Sequence, residues 1–462
     1  MYVSGIIVIT VLCICGVCAK YDPNWASLDA RPLPVWYDDA KLGIFIHWGI
    51  YSVPSYTSEW FWNYWKVKHN KDIITYMNTY YRPRFTYEDF ATDFHAAFFD
   101  PNEWADLFKD SGAEYIVITS KHHDGYSMWP SKYSVGWNSM ALGPRRDIIG
   151  ELGTAIKNKT SLHYGIYYSL SEWFNPLFLD DKANNFTTQE YVNTKTLPQL
   201  YELVKSYKPD VLWVDVLDKA LGSYWKAQEF LAWLYNDSPV KDSVVTNDRW
   251  GYDTWCHHGG VMTCHDRFLP DQLQKKKWEN AMTIDKGSFG FRRNAKLSSF
   301  LSSQDLINTF VQTVSFGGNM LMNVGPTEEG TIHPIYEERL RDIGNWLSVN
   351  NEAIKSSRPW TTQNDKLSPN VWYTKKQNVV YAIILGFKSG VTLSLTAPKS
   401  DHDTHVHILG YNGPQLTWLP RLDGGMDITI PAIPYNKIPS NFAVTLKLTG
   451  LANHSGSHII GK

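Results

Sequence analysis

Cysteine and unbalanced charge are both scarce in this chain of 462 residues. Its 44 basic and 46 acidic residues give a formal net charge of −2, so no charged surface indicates binding to nucleic acid or to an acidic membrane. Three of the five cysteines lie within the first 19 residues. Long apolar runs are missing beyond that point, and no later segment is a candidate membrane span. Internal repeats and low-complexity linkers are missing too, so two domains should pack closely.

Residues 1–19 are typical of a secretory signal. The stretch 3–17 is apolar, and Val17 and Ala19 put small side chains at the −3 and −1 positions of a cleavage after Ala19. No Lys or Arg precedes the run, which leaves an uncleaved anchor as the alternative, although the run is at the short limit for crossing a bilayer. We predict a chain of the secretory pathway, lysosomal or extracellular.

The two cysteines beyond the signal, Cys256 and Cys264, flank a glycine-rich segment. In an oxidising compartment a short disulfide is expected between them. A metal site that combines them with His257, His258 and His265 is the alternative that the residues leave open.

Four Asn-x-Ser/Thr sequons predict N-glycosylation in such a compartment. They begin at Asn158, Asn185, Asn236 and Asn453. Pro239 directly follows the third sequon and weakens it.

Three short β-branched runs each end at reactive side chains. Residues 42–46 lead into His47, residues 115–119 lead into the pair His122 and His123, and residues 211–214 lead into Asp215. Such runs are typical of strands buried on both faces of a parallel sheet. Polar groups at the C-terminal ends of these strands are typical of the active site of a (β/α) barrel.

Helical stretches alternate with strand-like runs up to about residue 356, and short strands at turn-like spacing follow. We predict helices over 101–108, 197–207 and 335–349, and further strands over 163–169, 244–250 and 319–326. The α/β fold expected is therefore a TIM-like (β/α)-barrel catalytic domain over residues 20–358. A C-terminal antiparallel β-sandwich is expected over 359–462.

Two carboxylates, Asp215 and Glu279, are candidates for glycoside hydrolysis, in which one attacks the anomeric carbon and the other moves a proton. Burying a carboxylate at the end of a strand costs free energy unless a function or a partner requires it. Asp215 could also cap a helix or pair with an arginine. The 20 Trp, 27 Tyr and 20 Phe residues suit sugar binding, but a large barrel also packs many aromatics.

His47, His122 and His123 could donate hydrogen bonds around such a centre, or bind a metal. Adjacent residues of a regular strand point to opposite faces. If the strand stays regular there, we expect at most one of His122 and His123 to face the barrel mouth, and the other to be structural.

A series of motifs, taken in order along the chain, carries a family resemblance. The motifs are His47-Trp48-Gly49, Ser58-Glu59-Trp60, Lys121-His122-His123-Asp124-Gly125, Trp213-x-Asp215, Asn247-Asp248-Arg249-Trp250 and Asn323-x-Gly325-Pro326. The chain resembles the retaining α-L-fucosidases of glycoside hydrolase family 29 from about residue 21 to about 451, and is most similar to the animal lysosomal and secreted enzymes. The resemblance implies a catalytic barrel followed by a β-sandwich, with no metal or organic cofactor.

The resemblance also implies roles for individual residues. Asp215 falls on the nucleophile, and Glu279 falls where animal members are expected to carry the acid/base. Positions that contact fucose hydroxyls or flank the nucleophile correspond to His47, Glu59, Trp60, His122, His123, Tyr168 and Arg249. Trp213 and an aromatic at Phe289 or Phe291 would contact the C5 methyl group.

The chain departs from similar animal enzymes directly after Asp215. A segment like Gly-Glu-Trp-Glu is replaced by Val216-Leu217-Asp218-Lys219. The first hypothesis is an exo-acting hydrolase of terminal α-L-fucose on glycans or glycoconjugates; the second is a secreted fucose-binding paralogue with impaired catalysis. Members of the family are often oligomers, so a homo-oligomer stays open.

Overall fold

The computed structural model describes residues 20–454, so the predicted signal lies outside the described residues. A seven-stranded parallel sheet forms the first part of the fold, with strand order β5-β4-β3-β2-β1-β7-β6. Its strands are β1 (Leu42–Ile46), β2 (Tyr115–Lys121), β3 (His163–Ser169), β4 (Val211–Asp215), β5 (Val245–Thr246), β6 (Glu279–Thr283) and β7 (Asn319–Val324). The strands expected at the three reactive sites are therefore present.

A two-residue segment joins the edge strands β5 and β6. The backbone N–H of Val261 donates to the carbonyl of Thr246 at 2.9 Å, and that of Met262 donates to Lys277 at 2.9 Å. The N–H of Glu279 returns a hydrogen bond to the carbonyl of Met262 at 3.0 Å. Residues 261–262 thus fill the position of a further short strand and close the sheet into a barrel, which confirms the predicted TIM-like fold.

Two short helices precede β1, and helices follow most of the parallel strands. In chain order the helices are α1 (Trp25–Leu28), α2 (Val35–Ala40), α3 (Lys71–Tyr80), α4 (Pro101–Asp110), α5 (Ile148–Lys159), α6 (Pro176–Ala183), α7 (Leu197–Tyr207), α8 (Ala227–Asn236), α9 (Ser303–Ser315) and α10 (Pro334–Ile354). The side chain of Asp100 caps α4 and Pro101 occupies its first turn, as expected for a helix start. Lys208, in the left-handed conformation, ends α7 just before Pro209 and β4.

Alternation along the strands separates two apolar layers. Ile44, Ile116 and Ile166 belong to the large core that includes the helices, whereas Phe45 and Tyr167 belong to a separate cluster inside the barrel. Large aromatic rings therefore fill the interior below the pocket described next.

The C-terminal part consists of two antiparallel sheets, in the orders β12-β15-β10-β9-β8 and β11-β14-β13. Its strands are β8 (Arg358–Asn364), β9 (Val371–Lys376), β10 (Val379–Leu385), β11 (Thr392–Leu395), β12 (His405–Ile408), β13 (Trp418–Pro420), β14 (Met426–Thr429) and β15 (Ala443–Thr449). The indole of Trp346 on α10 donates to the carbonyl of Ala443 at 2.9 Å, so the two parts pack directly against each other. We propose the division between residues 358 and 359, within one residue of the start of β8 at Arg358.

Within residues 20–454, none of the helices combines the length and the apolar character needed to span a bilayer.

Candidate active site

A cavity of about 230 Å³ opens at the C-terminal ends of the parallel strands. Its walls come from the ends of β1 to β4 and from the loops that follow. The lining residues are Phe45, His47, Glu59, Trp60, His122, His123, Tyr167, Trp213, Asp215, Val216, Leu217, Arg249, Trp255, Asp266 and Phe289. Most of the predicted site residues therefore meet in one pocket.

Asp215 ends β4 and presents its carboxylate to this pocket. Its Oδ2 accepts a hydrogen bond from the hydroxyl of Tyr167 at 3.1 Å, and its Oδ1 accepts one from Nη1 of Arg249 at 3.3 Å. Nε2 of His123 lies 3.7 Å from Oδ2. Burial raises the pKa of Asp215 to about 6; Arg249 opposes this increase, while the negative charge of Asp266 adds to it.

Arg249 joins two carboxylates. Its Nη2 donates to Oδ1 of Asp266 at 2.7 Å, while its Nη1 holds Asp215. The guanidinium carbon lies 4.8 Å from the ring centroid of Trp213 and 5.1 Å from that of Trp255. Burial acts to raise the pKa of Asp266, but the charge and hydrogen bond of Arg249 outweigh it, so this pKa lies below its ordinary value. The Asp266 side chain is 48% exposed, against 15% for Asp215.

The loop before Asp266 is held by a disulfide and by Asp248. Cys256 and Cys264 are bonded to each other, as predicted. The carboxylate of Asp248 accepts from the backbone N–H groups of Cys256 at 2.8 Å, of Thr263 at 3.0 Å and of Cys264 at 3.0 Å. These contacts fix the segment that leads to the pocket.

The alternative metal site at these cysteines does not fit, because the disulfide uses both thiols. Within the described residues, the only acidic, Cys or His side chains grouped at metal-ligand spacing are Asp248 and these two cysteines. His258 pairs with Asp29 at 2.8 Å and stacks on Trp25 instead.

Both adjacent histidines line the pocket, so the expectation that at most one would do so is wrong. The pairing of β2 with β3 shifts register between Thr119 and Lys121, and the regular alternation ends before His122 and His123. Nδ1 of His123 lies 2.6 Å from the hydroxyl of Ser169. Burial lowers the pKa of both histidines well below the ordinary value, and the neighbouring His47 adds to the decrease.

His47 and Glu59 form a further part of the pocket wall. Nδ1 of His47 lies 2.7 Å from Oδ1 of Asn323, and burial lowers the pKa of His47, opposed by Glu59. Oε2 of Glu59 accepts from the Ser288 hydroxyl at 2.6 Å and from the N–H of Phe289 at 3.0 Å. Glu59 thereby fixes the loop that brings the Phe289 ring into the pocket.

Three predicted residues lie outside the pocket lining. Tyr168 is buried on the outer face of β3, where Nζ of Lys121 donates to its hydroxyl at 3.0 Å. Its neighbour Tyr167 faces the pocket, because successive strand residues alternate. The ring of Phe291 packs 5.7 Å from that of His333.

Glu279 is the third of these residues, and its position does not match the acid/base role. It is the first residue of β6, at the end of the strand away from the pocket, and is 1% exposed. The pocket lining also contains three residues that the sequence analysis did not predict: Asp266, Tyr167 and Trp255. Asp266 follows no strand-like run, so no pattern pointed to it.

Comparisons with known proteins agree with this geometry. Residues 14–352 match the family model described as alpha-L-fucosidase, and residues 363–449 match that of the alpha-L-fucosidase C-terminal domain. The chain belongs to the alpha-L-fucosidase family. Members of this family are glycoside hydrolases, and the resemblance drawn from the motifs is confirmed.

Similar members of the family are found in animals and bacteria. The chain is 52% identical to an alpha-L-fucosidase of Branchiostoma floridae over 94% of this chain and 96% of that one. It is 50% identical to the human tissue alpha-L-fucosidase, over 94% and 92% of the two chains. The crystal structure of the Thermotoga maritima alpha-fucosidase in complex with fucose superposes with a TM-score of 0.78 at 33% identity, covering 93% of this chain and all of that chain.

Proposed function

We propose that this member of the family releases terminal α-L-fucose from glycoconjugates by double displacement, with retention of configuration. The observation that carries the proposal is the pair of carboxylates on one guanidinium, Asp215 inside the pocket and Asp266 half-exposed at its opening. In such a reaction one carboxylate attacks the sugar and the other serves the leaving group.

Asp215 suits the nucleophile, because it is buried and is fixed by Tyr167 and Arg249. Its oxygen attacks the anomeric carbon and forms a fucosyl ester. Asp266 suits the acid/base, because it lines the same pocket and its side chain is 48% exposed, so it can exchange protons with solvent and with a leaving group. It protonates the departing oxygen and later removes a proton from the attacking water.

The remaining lining fits a deoxy-sugar. His47, Glu59, His122 and His123 offer hydrogen-bonding atoms for hydroxyl groups, and Trp60 lies beside His123, with ring centroids 5.6 Å apart. Trp213 and Phe289 supply apolar surface for a methyl group. Nδ1 of His47 and of His123 is already hydrogen-bonded within the protein, which leaves Nε2 of each ring for other partners.

The altered segment after Asp215 does not disturb this arrangement. Val216 and Leu217 line the pocket, and Asp218 turns outward to an ion pair with Lys182 at 2.6 Å. The change makes part of the wall apolar and leaves both carboxylates in place. Nothing observed favours the alternative of an impaired fucose-binding paralogue.

The proposal is tested with purified protein and a chromogenic aryl α-L-fucoside, with the released sugar followed by proton NMR. We expect turnover with α-L-fucose as the first-formed anomer, since two inversions retain configuration. First-formed β-L-fucose would exclude the ester intermediate. Fucose binding without any release would favour the impaired paralogue.

The tissue and plasma relatives support a lysosomal or extracellular location, and glycosylation belongs to the same proposal. Asn158 and Asn185 are exposed. Asn236 is bound on both sides of its amide to the backbone of Tyr21, at 2.8 and 2.9 Å. Asn453 likewise bonds the backbone of Lys399 at 3.0 Å.

We therefore expect glycans on Asn158 and Asn185 and an unmodified Asn236 when the chain is expressed in animal cells. Glycopeptide mass spectrometry, with an Asn158→Gln variant as a control for site assignment, measures this directly. A largely occupied Asn236 would contradict the contact with Tyr21.

A further inference from the structure

Glu279 is a buried carboxylate that the proposed chemistry does not use, and its contacts lead towards the active site. Its Oε2 accepts hydrogen bonds from the hydroxyls of Tyr37 at 2.5 Å and of Tyr115 at 2.7 Å. Its Oε1 accepts from the indole Nε1 of Trp213 at 3.0 Å. All three partners are neutral donors, so both carboxylate oxygens are hydrogen-bonded, and one of the donors, Trp213, lines the pocket.

Trp213 connects this carboxylate to the reacting groups. Its ring stacks on that of Tyr167, with centroids 5.5 Å apart and an interplanar angle of 24°, and the Arg249 guanidinium lies over it. Tyr167 and Arg249 are the two side chains that hydrogen-bond to Asp215. The orientation of the indole thus fixes both supports of the nucleophile.

We propose that Glu279 is a positioning residue that acts through the Trp213 indole to hold Tyr167 and Arg249 against the nucleophile. This inference rests on the proposed function. The indole N–H has one acceptor, and Glu279 supplies it from below. Without that acceptor the buried N–H is left unpaired, and the indole and the two groups packed on it can shift.

Two variants of Glu279 distinguish the effect of side-chain length from the effect of charge. Glu279→Gln keeps a carbonyl oxygen for the indole, and its amide can donate to a tyrosine hydroxyl, which is able to accept. Glu279→Asp keeps the charge but withdraws it by one methylene, so the contacts to Trp213 and both tyrosines cannot all be kept. An acid/base residue would show the opposite order, because only the aspartate retains a titrating carboxyl group.

The test measures kcat and KM for both variants on an activated aryl fucoside and on a fucoside with a poor leaving group. For Glu279→Asp we expect a loss of about 10- to 100-fold in kcat/KM, equal for the two substrates and mostly in kcat, as for a small misplacement of reacting groups. We expect Glu279→Gln to have a kcat/KM close to that of the wild type. The decrease of its kcat/KM at alkaline pH should occur at the same pH as in the wild type. In a Trp213→Phe background, Glu279→Asp should cause little further loss, because the two residues act as one unit.

Asp365→Asn is the matched control, since Asp365 is also buried and accepts from a tyrosine hydroxyl, that of Tyr373 at 2.8 Å, but lies in the C-terminal part. It should lower the melting temperature and leave kcat/KM unchanged. Wild-type activity in both folded Glu279 variants, or full additivity with Trp213→Phe, would overturn the positioning role. So would a Glu279→Gln enzyme that fails only on the poor leaving group and is rescued by azide. An inactive wild-type protein would instead contradict the proposed function.

Discussion

Replacement of Asp215 by alanine is expected to lower kcat/KM by on the order of 10⁴- to 10⁶-fold, as is typical for loss of a nucleophile. The side chain lies at the end of β4 and faces the cavity, so the fold does not depend on it for packing. Steady-state kinetics on an aryl α-L-fucoside, together with a thermal melt, measures the two effects separately.

Rescue by azide distinguishes the loss of a nucleophile from a general loss of activity. The space left by the carboxylate admits a small anion, which should restore turnover of Asp215→Ala and give a β-fucosyl azide of inverted configuration. Asp210→Ala is the control, because Asp210 directly precedes the same strand at the opposite end of the barrel and pairs there with His163. Substantial activity of Asp215→Ala without azide would refute the assignment of the nucleophile.

Replacement of Asp266 by alanine is expected to reduce kcat/KM for a fucoside with a poor leaving group by about 10²- to 10⁴-fold, the usual contribution of general acid catalysis. Activated aryl fucosides need little protonation, so their first step should be affected far less. Azide should again react, but here it attacks the fucosyl ester and gives the α-fucosyl azide with retained configuration. Equal losses for both substrates, or the same signature in Glu59→Gln instead, would exclude Asp266 as the acid/base.

The pH dependence follows from the same pair. The reactive form carries one proton on Asp266 and none on Asp215, whereas in the empty pocket the pKa is raised to about 6 for Asp215 and lowered for Asp266. The two groups titrate together, and the reactive form is the less populated arrangement of one shared proton. For the wild type, kcat/KM should therefore be bell-shaped with an acid maximum, decreasing above about pH 6 as the last proton leaves the pair. It should also decrease at low pH, as the second carboxylate is protonated.

In Asp266→Asn, assayed with an activated substrate, the alkaline limb should disappear. The activity should then increase with pH as Asp215 ionises. An alkaline limb that persists unchanged in Asp266→Asn would mean that the proton belongs to another group.

Much of the fold could be predicted because the local signals and the tertiary packing agree. The helix over Leu197–Tyr207 begins and ends as expected, and β1, β2, β3 and β4 coincide with runs buried on both faces. The strand β6 was not predicted, because Glu279–Thr283 has polar side chains at three of its five positions. Barrel contacts, rather than an apolar pattern, determine that strand.

The candidate site could be predicted only in part. Asp215 and His47 end apolar strands, so their direction follows from the chain. Which of Tyr167 and Tyr168 faces the pocket depends on the alternation of side chains along β3. Two adjacent tyrosines do not indicate which of them points inward. The shared position of His122 and His123 depends on a register shift that only pairing with β3 produces.

The amino-acid sequence by itself determined the family, the barrel and the carboxylate at its mouth, because strand patterns and ordered motifs are local properties. Only the tertiary structure decided which second carboxylate serves the pocket. Glu279 and Asp266 are separated by 12 intervening residues. Glu279 begins β6 at the end of the barrel away from the pocket, whereas Asp266 follows the loop closed by the disulfide and is hydrogen-bonded to Arg249. Barrel closure and loop packing determine which of these two carboxylates lies near Asp215, and no local sequence pattern encodes either effect.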